Sequence, residues 1–337
     1  MIEDVKRIPY GVSNFVEVVE QNQYYVDKTM YLPLLEQQPN SLFFIRPRRF
    51  GKSIFLSMLR TYYDISQKEK FQKRFGNLWI GSQPTPLQGT FQILFLDFSR
   101  IGGIDGTLAQ NFDDYCCGGL DDFASIYEPY YYPGFALEMK QLEGSTNKLN
   151  FLDRKARNNG SHLYLIIDEY DTPIQQGHTQ GYYDEVVLFM RNLFSGGLKD
   201  NPYLSYGFMT GILRVAKESI FSGLNNLRIN SILDNRYSEY FGFTPKEIQQ
   251  MTAYYDVPDK YDEISNWYNG YLFGNSNIFN PWSVISYFCN DCQPQAFWQS
   301  TGSNEIIGEI LSVADNDILT NLETLLQGES FLTHIDT

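Results

Sequence analysis

Short, almost continuous apolar runs separated by longer amphipathic stretches organise the first part of the chain. Ser41 to Ile45, Phe91 to Phe98, Leu163 to Asp168 and Leu204 to Thr210 are runs of this kind, with little alternation of polar residues. A strand buried on both faces has that pattern, so these segments predict a parallel sheet covered by helices on either side. Between them, Ile54, Phe55, Met58, Leu59 and Tyr62 follow Lys52 at helical spacing. Val186, Val187, Met190, Leu193 and Phe194 form a second stripe, with Gly196-Gly197 as its expected stop. Gly102 to Ser161 mixes glycine-rich, acidic and aromatic pieces and predicts a helix ending near Asn158-Asn159-Gly160. The pattern changes after Phe243. Thr244-Pro245-Lys246-Glu247 predicts a helix start, with an N-cap, a proline in the first turn and a glutamate at the third position. Helical patterns containing Trp267, Trp282 and Trp298 follow, with no further buried strand. The expected organisation is an α/β domain over residues 1–240 and a smaller helical domain over 241–337.

Composition narrows the class. With 43% hydrophobic residues, 25 Tyr and 25 Phe in 337 residues, a large ring-rich core is expected and global disorder is excluded. The net charge of −14 argues against a coat of duplex nucleic acid, which needs a broad cationic footprint. Any basic site must be local. The four cysteines form two close pairs, Cys116-Cys117 and Cys289 with Cys292, which suits a reducing compartment. Cys289-Asn-Asp-Cys292 has half the spacing of a zinc site, but no second pair matches it and the three histidines are scattered. The N-terminus shows no secretory pattern and no run of about 18 apolar residues occurs, so a soluble, cytoplasmic protein without a membrane span is expected.

The chemistry concentrates in Arg46-Pro47-Arg48-Arg49-Phe50-Gly51-Lys52-Ser53-Ile54, between the first strand and its helix. A strand, tight loop, Gly-Lys-Ser and helix N-terminus hold a nucleotide triphosphate, because backbone N–H groups and the positive helix end point at the phosphates. Gly51 allows close backbone approach, Lys52 reaches the β- and γ-phosphates, and Ser53 ligates Mg²⁺. Arg46 stands where the usual loop has its first glycine. Arg46, Arg48 and Arg49 make this the basic spot of an acidic chain, which favours an anionic ligand. The run Leu163 to Ile167 ends in Asp168-Glu169, where Asp168 would hold Mg²⁺ and Glu169 would polarise the attacking water. In this class of sheet another strand lies between the loop strand and the Asp-Glu strand, so Leu204 to Thr210 is expected there, offering Thr210 to the γ-phosphate. Arg214 lies close enough in sequence to reach a phosphate or to form a surface ion pair. Asp171 reads as an N-cap before Thr172-Pro173.

Together, several segments resemble the AAA-ATPase-like family of bacterial proteins. They are Ile8-Pro-Tyr-Gly11, Tyr25-Val-Asp-Lys-Thr29, Phe44 to Ser53, Ile166-Ile-Asp-Glu-Tyr-Asp171, Thr210 to Arg214, Ser219 to Asn225, Trp267 to Tyr271 and Asn280-Pro-Trp-Ser283. The resemblance runs from about residue 5 to 300, and the arginine in place of the first glycine looks like the family's own form of the loop. It implies a P-loop ATPase fold of the additional-strand-catalytic-glutamate type with a helical lid, using ATP and Mg²⁺. Such proteins often continue into a nuclease-like domain of the PD-(D/E)XK kind, which a chain ending at Thr337 is expected to lack. Tyr25 to Thr29 could line the adenine side, or could supply Asp27 and Thr29 as caps of a helix from Met30 to Glu36.

Three functions follow as expectations. The first is an ATP-binding and ATP-hydrolysing regulatory module. The second is a nucleotide-binding or degenerate P-loop scaffold that acts through a protein partner or self-association without turnover. The third, nucleic-acid processing, is disfavoured by the acidity. No Asn-Lys-x-Asp element for guanine is visible, which tilts the base towards adenine.

Overall fold

The computed structural model describes residues 5–38, 41–101, 108–197, 204–212, 227–300 and 316–329. Its main sheet contains β1 (Ser41–Ile45), β2 (Gln92–Asp97), β3 (Leu163–Asp168), β4 (Leu204–Gly211) and β5 (Leu227–Asn230). These five strands lie in the order β2-β3-β4-β1-β5, every neighbouring pair parallel. The four apolar runs are therefore strands, shifted by at most a residue or two. β4 lies between β1 and β3, with Phe44 opposite Thr210 and Ile167 opposite Met209, so the ends of all three reach one edge of the sheet. β5 lacks the expected signature: it is four residues long and mixes Arg228 and Asn230 with its apolar positions.

The sheet is covered by α1 (Phe15–Glu20), α2 (Leu32–Glu36), α3 (Lys52–Tyr63), α4 (Phe71–Phe75), α5 (Leu108–Tyr127), α6 (Phe135–Lys140), α7 (Ser145–Asn159), α8 (Thr172–Gln180) and α9 (Tyr183–Gly197). Successive strand residues point to opposite faces. Phe43, Leu94, Leu96, Leu165 and Ile167 thus join one core cluster with residues of α5, α7 and α9. Leu42, Phe44, Ile93, Tyr164 and Ile166 join another with α1, α3 and α4. Both faces are buried, which is why the runs do not alternate. A fully buried side chain of this size contributes about 2 kcal/mol relative to an exposed one. The helix expected near Asn159 is α7, closed by Gly160 in the left-handed region (φ 65°). The Gly196-Gly197 pair lies inside the assigned bounds of α9 rather than beyond them.

Beyond the sheet come α10 (Pro245–Tyr254), α11 (Tyr261–Tyr268), the antiparallel hairpin of β6 (Tyr271–Phe273) with β7 (Ser276–Ile278), and α12 (Pro281–Cys289). α10 starts as expected, with a full capping box between Thr244 and Glu247. The hairpin was not expected, because three-residue strands carry too little periodicity to read. Residues Met1–Gln295 form one compact unit, in which Phe241, Phe273 and Ile278 share the cluster of Phe44 and Phe55. A second unit, Ala296–Thr337, contains α13 (Asn316–Leu326). No described helix is long and apolar enough to cross a membrane.

The Tyr25 to Thr29 motif has internal work. Asp27 accepts from Thr29 N (2.8 Å) and Trp79 N (2.6 Å), and Thr29 Oγ1 accepts from Ile80 N (3.2 Å). The buried Lys28 ammonium donates to both Glu247 carboxylate oxygens (2.6 and 2.8 Å) and to Glu239 O (2.9 Å), tying this segment to the start of α10. Burial lowers the Lys28 pKa, and Glu247 opposes that.

Candidate nucleotide site

β1 delivers the chain into a loop that ends at Lys52, the first residue of α3. The turn uses left-handed backbone at Arg49 (φ 69°) and Gly51 (φ 80°). Glycine accepts this freely, whereas the arginine stores strain on the order of 1 kcal/mol. No described side chain caps α3 and its first turn holds no acidic residue, so its leading amides and positive dipole end face the loop. Lys52 is 5% exposed and donates to the loop's own carbonyls, Pro47 O at 3.1 Å and Arg46 O at 3.3 Å. Burial lowers its pKa, while Asp168, Glu169 and Asp171 pull it back up.

Asp168 gathers the other side of the site. Its Oδ2 accepts from Ser53 Oγ at 2.7 Å, and its Oδ1 accepts from the Thr210 hydroxyl and from Glu169 N at 3.0 Å. One carboxylate thus joins the first turn of α3, the end of β3 and the end of β4. Glu169 sits in left-handed backbone (φ 50°), and its carboxylate accepts from Thr172 Oγ1 at 3.2 Å. Burial first, then the charge of Asp168, raises the Glu169 pKa, with Lys52 opposing. The donor set of a serine hydroxyl and an aspartate carboxylate, all oxygen, fits a hard cation such as Mg²⁺.

The remaining loop residues point elsewhere. The Arg46 guanidinium is fully buried, donating to Ile45 O (2.8 Å), Asn230 O (3.0 Å) and Tyr237 O (3.1 Å). Phe44, Phe241 and Phe273 surround it with centroids 5.4–5.6 Å away. Burial pushes its pKa down to about 10, so it stays charged near neutrality. It faces the interior of the protein, and its carbonyl rather than its guanidinium meets Lys52. Arg48 and Arg49 are exposed, with Arg49 lying over Trp282 at 4.3 Å. Phe50 is buried against Tyr271 and Phe273, and Ile54 packs against the cluster of α3. Arg214 and Ser219 to Asn225 lie outside the described residues.

Two residues gain roles that local patterns did not show. Asp171 starts α8, yet its side chain does not cap it. Instead it accepts from Ile212 N at 3.0 Å and Gln175 Nε2 at 2.8 Å, holding the chain that leaves β4. Gly211 is there because a Cβ would come within 2.5 Å of the Tyr170 ring and 2.8 Å of Asp171 Oδ1. A glycine closing an apolar strand was the available signal.

A family model described as "Predicted AAA-ATPase" matches residues 9–221, a stretch that includes the loop, Asp168-Glu169 and Thr210. The chain belongs to the AAA-ATPase-like family. An "Uncharacterized protein in vnfD 5′region" from Azotobacter chroococcum mcd 1 is 28% identical to this chain over 311 residues. That match covers 91% of this chain and 56% of the relative's length, so the chain spans little more than half of that protein. Family membership agrees with the resemblance read from the motifs and with the parallel sheet, and it suggests an ATPase of the AAA type.

Proposed function

We propose that this protein binds Mg-ATP at the loop 46–54 and hydrolyses it, with the nucleotide state serving as a regulatory signal. The convergence of Ser53, Thr210 and Glu169 on Asp168, beside Lys52, carries this reading. Backbone amides of Arg48, Arg49, Phe50, Gly51, Ser53 and Ile54 would cradle the phosphates, while Arg46, whose N–H donates to Gly211 O (3.0 Å), and Pro47, which has no N–H, would shape the loop around them. Lys52 would exchange the carbonyls of Arg46 and Pro47 for the β- and γ-phosphates, a charge-assisted contact stronger than the neutral ones it leaves. Ser53 and Asp168 would hold Mg²⁺, which when bound neutralises phosphate charge. Glu169 would orient water and take its proton; a carboxylate raised above its ordinary pKa is a better base at neutral pH. Thr210 would contact the γ-phosphate, and Arg214 is proposed as a further phosphate partner. A protein partner or a second copy would read the signal.

The competing reading is a scaffold that binds nucleotide without turnover. It is favoured by the Lys52 ammonium, already satisfied by its own loop. The buried contacts of Arg46 weaken it, since they give that departure from the usual loop a reason unrelated to lost turnover. Calorimetry with Mg-ATP and a phosphate-release assay separate the two. Turnover abolished by Lys52→Ala, and lost with retained binding in Glu169→Gln, is the expected result. Binding without any phosphate release would establish the scaffold instead, and no binding at all would defeat both.

A further inference from the structure

Ile8-Pro-Tyr-Gly11, Asn280-Pro-Trp-Ser283 and the Arg49 side chain have no task in the nucleotide reading, yet the fold brings them to one place. The Tyr10 and Trp282 rings lie 5.0 Å apart at 35°, and the Arg49 guanidinium stands 4.3 Å from the centre of the Trp282 ring. Trp282 is held firmly. It lies in the first turn of α12, where the Asn280 side chain accepts from Trp282 N (3.0 Å) and Ser283 N (3.3 Å) and Pro281 presets the backbone. Arg49 is therefore docked on a rigid ring platform built from both ends of the compact unit.

The anchors of the loop differ in how easily they can let go. Arg46 is fully buried on three carbonyls, and Phe50 is 1% exposed between rings. Neither can move without stripping buried groups. Arg49 is exposed and rests on a ring. A cation over a ring at an exposed surface is held less strongly than a guanidinium hydrogen-bonded to phosphate. A polyphosphate entering the loop would outcompete the ring for this side chain.

We propose that Trp282, backed by Tyr10, is a positioning residue of the phosphate site: it docks the Arg49 guanidinium away from the phosphates and gives it up to a polyphosphate that binds the loop. The proposal rests on the nucleotide reading above. It makes the start of α12 the element that senses occupancy, because the contact between loop and helix is broken by the ligand itself.

The test uses the full chain with Trp79, Trp267 and Trp298 changed to Phe, so that Trp282 is the sole tryptophan. Its emission is followed during titration with Mg-ADP and with a non-hydrolysable Mg-ATP analogue, alongside calorimetry on the same protein. Trp282 emission should change with the calorimetric midpoint. Arg49→Gln should weaken binding roughly 10-fold, as expected for loss of a charge-assisted phosphate contact. Trp282→Phe, which keeps a ring but holds the cation less well, should tighten binding, and Trp282→Leu should tighten it further. The double variant Arg49→Gln with Trp282→Phe should match Arg49→Gln alone. Calorimetric binding with silent Trp282 emission would overturn this proposal and leave the nucleotide reading standing. So would a Trp282→Phe variant that folds and binds more weakly than the parent. Absence of calorimetric binding would overturn both.

Discussion

Two carboxylates at opposite ends of the sheet have similar immediate partners and different prospects. At the C-terminal end of β3, Asp168 accepts from the hydroxyls of Ser53 and Thr210. At the other end, Glu36 closes α2 and accepts from the hydroxyls of Tyr63 (3.0 Å) and Thr85 (2.6 Å). Glu36 also borders a small pocket lined by Tyr63, Tyr164 and Tyr206. The surroundings separate them. Around Glu36, burial raises the carboxyl and the Tyr63 and Tyr164 hydroxyls alike, so the fold favours neutral groups there. Around Asp168 stand a buried ammonium, the amide end of a helix and a second carboxylate. A hydroxyl-bonded carboxylate is thus not by itself a phosphate site. The loop amides and Lys52 would supply what an anion needs, and among the described residues only one end of the sheet has them.

Substitutions can break this comparison. The largest effect is expected for Glu169→Gln, with turnover down roughly 10²- to 10⁴-fold and Mg-ATP affinity retained, by phosphate release and calorimetry. In the proposed role the carboxylate would be the active form, and its pKa is raised, so the wild-type rate should fall on acidification at a pH above the ordinary glutamate range. Next, Lys52→Ala should cost roughly 10²- to 10³-fold in turnover, as for removal of a preorganised donor. Arg46→Met should leave the carbonyls of Ile45, Asn230 and Tyr237 without their donor and cost roughly 3 kcal/mol in denaturant unfolding. Gly211→Ala should cost about 2 kcal/mol, because its Cβ meets the Tyr170 ring.

The smallest effect sharpens the contrast. Glu36→Gln should leave nucleotide binding and turnover unchanged and alter stability by about 1 kcal/mol or less near neutrality. Its sign depends on pH. Because the folded pKa of Glu36 is raised, its favourable contribution is present below the ordinary glutamate range and is lost as pH rises through the folded value. Wild type should therefore gain on Glu36→Gln when thermal melts are moved from about pH 7 to about pH 4. A Glu36 variant that altered turnover would show that the two ends are coupled.

Much of this was legible because it is local. Apolar runs bounded by glycines and polar residues predicted β1 to β4. The Gly-Lys-Ser turn and the Asp-Glu strand end placed Lys52, Ser53, Asp168 and Glu169 on the elements where they stand, and Thr210 joined them through the expected insertion of β4. β5 and the hairpin of β6 with β7 were too short and too polar to show a period, and pairing rather than pattern makes them strands.

The basic residues Arg46, Arg49 and Lys52 of the loop mark the boundary most clearly. Their clustering was visible along the chain, but the cluster does not act as one charge. Arg46 turns inward to three carbonyls, Arg49 turns outward to Trp282, and Lys52 folds over the loop itself. Asp171 likewise reads locally as a cap, yet its carboxylate holds the exit of β4. Periodicity and turn chemistry act over a few residues, so they can name the strands, the loop and the groups at their tips. The partner of a long or charged side chain is chosen by which distant segments cross beside it, and that is settled when residues near 10, 170, 230 and 282 close around the sheet.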